Sequence, residues 1–287
     1  MDEPVAPRIG GRTRLAGVIG WPVSGSLSPV IHNAAFAALG LDWAYVPLPV
    51  PPGRVAEAIA GLRALGFAGA NVTMPYKTEA TQAVERLSED AALLEAVNTV
   101  VVGGDEIEGA NTDAPGFDRV LRSDAGFDPS GRRALVFGAG GAARACVLAL
   151  GRAGLAELVV AIREPERSTS LARLARELPV ELRVIPLADA ASESVDLVVN
   201  ATPLGRTGET LPHPELHDGV LVVDLLYRPA VTPLLQAARD AGAAAYGGLG
   251  LLLHQAALSF ELWTGLEPPM PVMSAAAVAE LTDVPGD

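Results

Sequence analysis

A glycine-rich loop between an apolar run and a small-residue segment most constrains how this chain of 287 residues can fold. Gly138, Gly140 and Ala143 fit the pattern G-x-G-x-x-A; the loop follows residues 134–137 and opens the helix-like segment 143–154. In a strand–loop–helix unit, such glycines permit a tight turn and the close approach of a pyrophosphate, which the helix N-terminus attracts. The pattern predicts a dinucleotide site, with a purely structural turn as the alternative, and the residues assigned to that site are Gly138, Ala139, Gly140, Gly141 and Ala142.

Strand-like and helix-like segments alternate on both sides of this loop, which predicts an α/β protein of two domains. The first domain comprises residues 1–112 completed by the C-terminal helices of 249–287, and the second is a Rossmann-type, doubly wound domain of residues 113–248. Within the first domain, Pro29–Leu39 and Tyr76–Val84 are predicted helices, with Ser28 as the N-cap of the former.

Composition and charge exclude several classes of function. The formal net charge is −13 with no basic block, which argues against nucleic acid and anionic membrane surfaces as partners. No apolar run reaches about 18 residues, so we expect no membrane span, and the polar N-terminus predicts no signal peptide. Cys146 is the single cysteine, which excludes an internal disulfide and is typical of the cytoplasm. The four histidines lack metal-ligand spacing, so no metal site is predicted.

One basic residue differs from all the others. Of the 21 basic residues, 20 are arginine and one is lysine, Lys77. Arginine stays protonated in proteins, whereas a lysine can be tuned to give and take a proton. Lys77 is therefore a candidate general acid/base, with chance survival on a surface as the alternative.

The residue that selects the cofactor is expected about 20 positions beyond the glycine loop. Arg163 stands there, directly followed by Glu164, and Arg167 lies a little further on. An arginine suits the 2′-phosphate of NADP, whereas a carboxylate suits the free ribose hydroxyl of NAD. The arginines favour NADP, Glu164 keeps NAD as the alternative, and an ordinary solvated loop is a third interpretation.

Eight short motifs, of which the glycine loop is one, occur in order between Gly17 and Gly265. In this combination the chain resembles the shikimate dehydrogenase family. The other seven are S-L-S-P-V-I-H-N, N-V-T-M-P-Y-K, two N-T sites, N-A-T-P-L-G, D-x-x-Y-R-P-x-x-T-P-L and G-L-G…Q-A-A, which start at Ser26, Asn71, Asn98, Gly109, Asn200, Asp224 and Gly248.

The resemblance implies reversible, NADPH-dependent reduction of 3-dehydroshikimate to shikimate in aromatic amino acid biosynthesis, in a cleft between a substrate-binding catalytic domain and the dinucleotide domain. It implies Lys77 as acid/base with Asp113 as its partner. The residues implied to bind substrate are Ser26, Ser28, Asn71, Thr73, Asn98, Tyr227 and Gln255, and Arg163, Thr202 and Gly248 join the glycine loop at the cofactor. His32 and Asn33 are interpreted as a helix-face pair that packs the serine loop.

Other functions remain open at this stage. An NAD-preferring quinate/shikimate or aminoshikimate dehydrogenase is the nearest alternative. A nucleotide-binding regulatory protein without catalysis and a relative acting on folate or an aminoacyl-tRNA are further ones. The expected partner is a small-molecule substrate, and the expected assembly is a monomer or homodimer in the cytoplasm.

Overall fold

The computed structural model describes residues 9–104, 106–165 and 169–283. These described residues divide into two compact units: the first contains those up to Thr112 and those from Gln255 onward, and the second contains those of Asp113–His254. The sequence places the second domain boundary at 249, whereas the structure changes unit inside a helix, between His254 and Gln255. No helix in these described ranges is long and apolar enough to cross a membrane.

Within the described ranges, twelve strands and nine α-helices form the two units. The strands are β1 Arg14–Gly20, β2 Trp43–Pro49, β3 Phe67–Val72, β4 Arg86–Leu87, β5 Thr99–Gly103, β6 Glu106–Ala110, β7 Arg133–Phe137, β8 Glu157–Ile162, β9 Glu181–Pro186, β10 Leu197–Asn200, β11 Leu221–Asp224 and β12 Ala244–Tyr246. The helices are α1 Ser28–Ala38, α2 Val55–Ala64, α3 Glu89–Leu94, α4 Asp113–Arg119, α5 Gly141–Arg152, α6 Thr169–Arg176, α7 Pro233–Asp240, α8 Leu249–Thr264 and α9 Met270–Asp283.

The first unit contains a mixed six-stranded sheet in the order β2-β1-β3-β5-β6-β4. β1 pairs in parallel with β2 and β3, and β5 is antiparallel to both β3 and β6. Ile19, Val72 and Val100 of this sheet bury their side chains in one core with Ile59 of α2. Because β1 and β3 pair in parallel, their carboxyl ends lie side by side.

The second unit contains a six-stranded parallel sheet in the order β9-β8-β7-β10-β11-β12. In chain order this is 3-2-1-4-5-6, the arrangement of dinucleotide-binding folds. The central strands are continuous buried apolar runs, as expected where helices cover both faces of a parallel sheet. The predicted fold class, two α/β domains of which one is Rossmann-type, is confirmed.

Two local predictions in the first unit are wrong. Tyr76–Val84 contains only a short 3₁₀ turn, Glu79–Gln82, because the Tyr76 hydroxyl donates to the carbonyl oxygen of Val50 at 2.7 Å and the amide of Val97 donates to that of Lys77 at 2.8 Å. Ser28 is not an N-cap: α1 begins one residue earlier than predicted, so Leu27 holds that position without a side-chain hydrogen bond. The Ser28 hydroxyl is therefore not used as the cap.

Candidate active site

The glycine loop lies at the carboxyl end of β7, where the strand order of the parallel sheet reverses. Gly138 has φ +108°, and a Cβ there would lie 3.1 Å from Thr202 Cγ2 and 3.2 Å from the carbonyl oxygen of Ala201, so glycine is required. Gly140 is the N-cap of α5 and faces open space. Among the described residues, neither a capping side chain nor an acidic side chain in the first turn occupies this N-terminus. The loop therefore fits a pyrophosphate.

Arg163 follows the last residue of β8, the strand next to β7. Its side chain and that of Glu164 are both exposed. Arg167, which also bears on the cofactor, lies outside the described residues. The position of Arg163 beside the loop strand is that of a ribose-recognising residue, and it remains a prediction.

A buried ring of hydrogen bonds shapes the loops after β10 and β11. Asn200 Nδ2 donates to Asp224 Oδ1 and to the carbonyl oxygen of Leu204, each at 3.0 Å, and Asn200 Oδ1 accepts from the Thr202 hydroxyl at 2.7 Å. Asp224 Oδ2 accepts from the Thr232 hydroxyl at 2.7 Å. Burial raises the pKa of Asp224 above its ordinary value, against the effect of these hydrogen bonds. The ring thus joins the two motifs that start at Asn200 and Asp224, which are separate in the sequence.

The same ring sets the loops that carry two of the predicted site residues, and a third packs against the second of these loops. Thr202 lies in the loop after β10, and Tyr227, which is half-buried, follows β11. A Cβ on Gly248 would overlap the carbonyl group of Leu225, so the motif glycine is required by close backbone contact. The backbone contact thus explains the need for glycine at position 248, independently of its predicted contact with a cofactor.

In the first unit, three residues predicted to bind substrate and the predicted acid/base meet where β3 ends. Asn71 and Thr73 flank the end of that strand, and the carbonyl oxygen of Asn98 accepts from the amide of Val72 at 2.8 Å. Lys77 is adjacent, since its carbonyl oxygen is bonded to the residue before Asn98. The structure therefore brings the N-V-T-x-P-x-K motif and the first N-T site together.

The remaining predicted residues lie at the edges of this cluster. Ser26 lies in the loop between β1 and α1, and Ser28 is the first residue of α1. At the end of β1, the carbonyl oxygen of Ile19 accepts from the amide of Thr73 at 2.9 Å. Thr112 donates its amide to Asn98 Oδ1 at 2.8 Å, and Asp113 follows directly as the buried first residue of α4. Gln255 lies on α8.

A layer of packing that the sequence only partly revealed supports this cluster. His32 is fully buried and stacks on Tyr45 at 4.4 Å between ring centroids, and burial lowers the pKa of His32 to about 3. Asn33 bonds both the amide and the carbonyl of Tyr45, at 2.8 and 2.9 Å. The Tyr45 hydroxyl in turn donates to Asn71 Oδ1 at 2.7 Å. His32 and Asn33 do have a packing role, but it is against Tyr45 of β2 and not against the serine loop as predicted, and Tyr45 itself carried no sequence signal.

Two models of known protein families match this chain, one near its start and one near its end. Residues 18–100 match the shikimate dehydrogenase substrate binding domain, and residues 248–278 match the shikimate 5′-dehydrogenase C-terminal domain. A relative from Rubrobacter xylanophilus named shikimate dehydrogenase (NADP(+)) is 50% identical, over 96% of this chain and 99% of its own.

Solved structures agree with the sequence comparison. A shikimate dehydrogenase in complex with NADP+ is 33% identical, with a TM-score of 0.90 over 98% of this chain and 100% of its own. A shikimate 5-dehydrogenase from Thermus thermophilus, in complex with NADP(H) and shikimate, is 39% identical, with a TM-score of 0.82 over 93% of this chain and 99% of its own. On sequence identity, coverage and fold, this chain belongs to the shikimate dehydrogenase family.

Proposed function

We propose that the protein is an NADP-dependent shikimate dehydrogenase, an oxidoreductase that reversibly reduces 3-dehydroshikimate to shikimate in aromatic amino acid biosynthesis. The observation that carries this proposal is the meeting of Asn71, Thr73, Lys77 and Asn98 at the end of β3. Short polar side chains on rigid elements suit a polyol, and a lysine beside them suits proton transfer to a ketone oxygen. The family membership of the chain supports the same reaction.

The two predicted domains receive different tasks in this proposal. Residues 1–112 with 249–287 form the substrate-binding catalytic domain, and residues 113–248 form the NADP-binding domain. The open N-terminus of α5 supports the second assignment, because its amide groups and dipole favour a pyrophosphate. Gly138, Ala139, Gly140, Gly141 and Ala142 would hold the pyrophosphate, Arg163 the 2′-phosphate, and Thr202 and Gly248 the nicotinamide end. When bound, NADPH supplies the hydride that reaches the substrate carbon.

Lys77 handles the proton. In the reduction its ammonium group donates a proton to the substrate oxygen, and in the oxidation the neutral amine takes that proton back. Asp113 binds the neighbouring hydroxyl and orients the ammonium group. The backbone of Lys77 is held by the amide of Val97 and by the anchored ring of Tyr76, so the side chain starts from a fixed point. A fixed donor is what general acid catalysis requires.

The hydroxyls of Ser26, Ser28 and Tyr227 bind the substrate carboxylate. The finding that Ser28 is not used as a helix cap supports its part in this role. Thr73, Asn98 and Gln255 complete the contacts to the hydroxyl groups of the substrate.

Asn71 has a narrower role than its side-chain chemistry suggests. Its amide nitrogen donates to the carbonyl oxygen of Asn98, the hydroxyl of Thr99 and the hydroxyl of Ser259, at 3.1, 3.1 and 2.9 Å. Both amide hydrogens are therefore engaged inside the protein, and Oδ1 already accepts from the Tyr45 hydroxyl, so toward substrate Asn71 acts as an acceptor through the second lone pair of Oδ1.

Initial rates with shikimate and quinate, each with NADP and NAD, test the proposal. We expect the shikimate–NADP pair to give the highest kcat/KM. A preference for quinate or for NAD would overturn it in favour of the alternative dehydrogenase. Turnover also excludes the regulatory protein without catalysis.

Cellular location and assembly complete the proposal. We place the protein in the cytoplasm, which its single, fully buried cysteine supports. We propose that it works as a monomer or homodimer.

A further inference from the structure

Ser259 of α8 is a fully buried hydroxyl with contacts to several segments of the first unit. It accepts from Asn71 Nδ2 at 2.9 Å, lies 2.8 Å from the Thr99 hydroxyl and donates to the carbonyl oxygen of Gln255 at 3.0 Å. It also lies 3.4 Å from the hydroxyl of Thr112. One side chain thus touches the end of β3, the start of β5, the connection into α4 and the preceding turn of its own helix.

The face of α8 that carries Ser259 is formed by residues spaced four apart. Gln255, Ser259 and Trp263 lie one above another, as residues four apart do on a helix. Trp263 donates its indole N–H to the carbonyl oxygen of Val100 at 2.9 Å and packs over Gly69, where any Cβ would overlap the ring. Trp263 therefore docks the far end of this face, and Ser259 fixes the end nearest Gln255.

The Asn71 amide is held at both ends: its Oδ1 accepts from the Tyr45 hydroxyl at 2.7 Å, and its Nδ2 has three acceptors. Of the three acceptors around Asn71 Nδ2, Ser259 Oγ is the nearest, and the other two belong to the adjacent residues Asn98 and Thr99. Ser259 is thus the contact that joins Asn71 to α8. Without it the amide nitrogen keeps two acceptors, so neither amide hydrogen of Asn71 is left unpaired.

We infer that Ser259 is a positioning residue of the proposed reaction: together with the Tyr45 bond to Asn71 Oδ1, its hydroxyl fixes Asn71 against α8 and thereby the placement of Asn71 relative to Gln255 on that helix. Both side chains bind hydroxyl groups of the substrate in the proposed function, on which this inference rests. Ser259 itself does not touch the substrate, so its removal acts through these two residues.

The test compares two hydroxyl deletions on one helix. Ser259→Ala removes the network hydroxyl. Thr264→Val is the matched control, because the Thr264 hydroxyl also donates to the carbonyl four residues earlier, at 2.8 Å, but lies outside the network. We expect Ser259→Ala to lower kcat/KM for shikimate about tenfold, mainly through a higher KM for shikimate, with the KM for NADP unchanged. Thr264→Val should leave all these constants unchanged.

Thermal shifts give a second readout that does not require turnover. Shikimate should raise the Tm of Ser259→Ala less than that of the wild type, whereas NADP should raise both equally. Ser259→Cys, which keeps a weak donor and acceptor of similar size, should give an intermediate KM for shikimate and keeps the test available if the alanine variant does not fold.

Three results would overturn the inference. Ser259→Ala constants equal to those of Thr264→Val would reduce Ser259 to a packing residue. An equal rise in KM for shikimate and NADP would indicate general loosening. An absence of shikimate turnover in the wild type would overturn the proposed function as well, whereas the first two results leave it intact.

Discussion

Lowering the pH below neutrality should destabilise the first unit through one buried side chain, His32. Burial lowers its pKa from 6.5 to about 3, so the native protein keeps it neutral while the unfolded chain takes up a proton. The stabilisation is complete above pH 6.5 and is lost as the pH falls from 6.5 toward 3. Over that range the free energy of unfolding should fall by about 1.4 kcal/mol per pH unit, or about 2 kcal/mol between pH 7.5 and 5.

The measurement is urea unfolding followed by tryptophan fluorescence between pH 7.5 and 5. Trp21, Trp43 and Trp263 all lie in the first unit, so the signal reports the unit that contains His32. His32→Phe keeps an aromatic ring without a titrating group, so its stability should fall about 2 kcal/mol less than that of the wild type. His217→Phe is the control, because the His217 side chain is 61% exposed. Parallel loss of stability in the wild type and His32→Phe would refute the reasoning.

Three further predictions concern the proposed reaction. Lys77→Met should lower kcat by about 10²–10⁴-fold with NADP binding retained. Lys77→Arg should be nearly as slow, because it keeps the charge but not the proton transfer. Steady-state rates check both variants, and a fully active arginine variant would limit Lys77 to a positioning charge. Ser26→Ala combined with Ser28→Ala should raise the KM for shikimate far more than that for NADP, whereas equal increases would indicate a merely structural loop. Arg163→Ala should weaken NADP binding by about ten- to a hundredfold in titrations and hardly change NAD binding, with Glu164→Ala as the near-silent neighbour; a reversal of cofactor preference by Glu164→Ala would favour the NAD alternative.

The parts of the fold that local patterns specify could be predicted from the sequence. The turn at Gly138 and the buried strand before it depend on residues that are neighbours in the chain, and the alternation of such strands with helices predicts a parallel sheet. The helix predicted at Tyr76–Val84 is absent because a tertiary bond from Tyr76 to Val50 outweighs local helix propensity.

The hydrogen bonds that hold the candidate site residues could not be predicted from local sequence patterns, because they join residues that are distant in the chain. Asn71 and Ser259 are hydrogen-bonded although they are 188 residues apart in the chain. In the sequence, Ser259 is one small polar residue within an apolar helix and indicates no partner. The motifs located Asn71 and Gln255, but only the packing of α8 on β3 and β5 shows what holds the two side chains in place.

The single lysine has a practical consequence for studying this chain in solution. Amine-directed labelling can modify only Lys77 and the N-terminal amine. Because the Lys77 side chain is partly exposed, a reagent can reach it without unfolding the protein. Reductive methylation with isotope-labelled formaldehyde would therefore place one side-chain NMR probe at the candidate active site. Its chemical shift would follow substrate binding and proton transfer at Nζ with no other lysine in the spectrum.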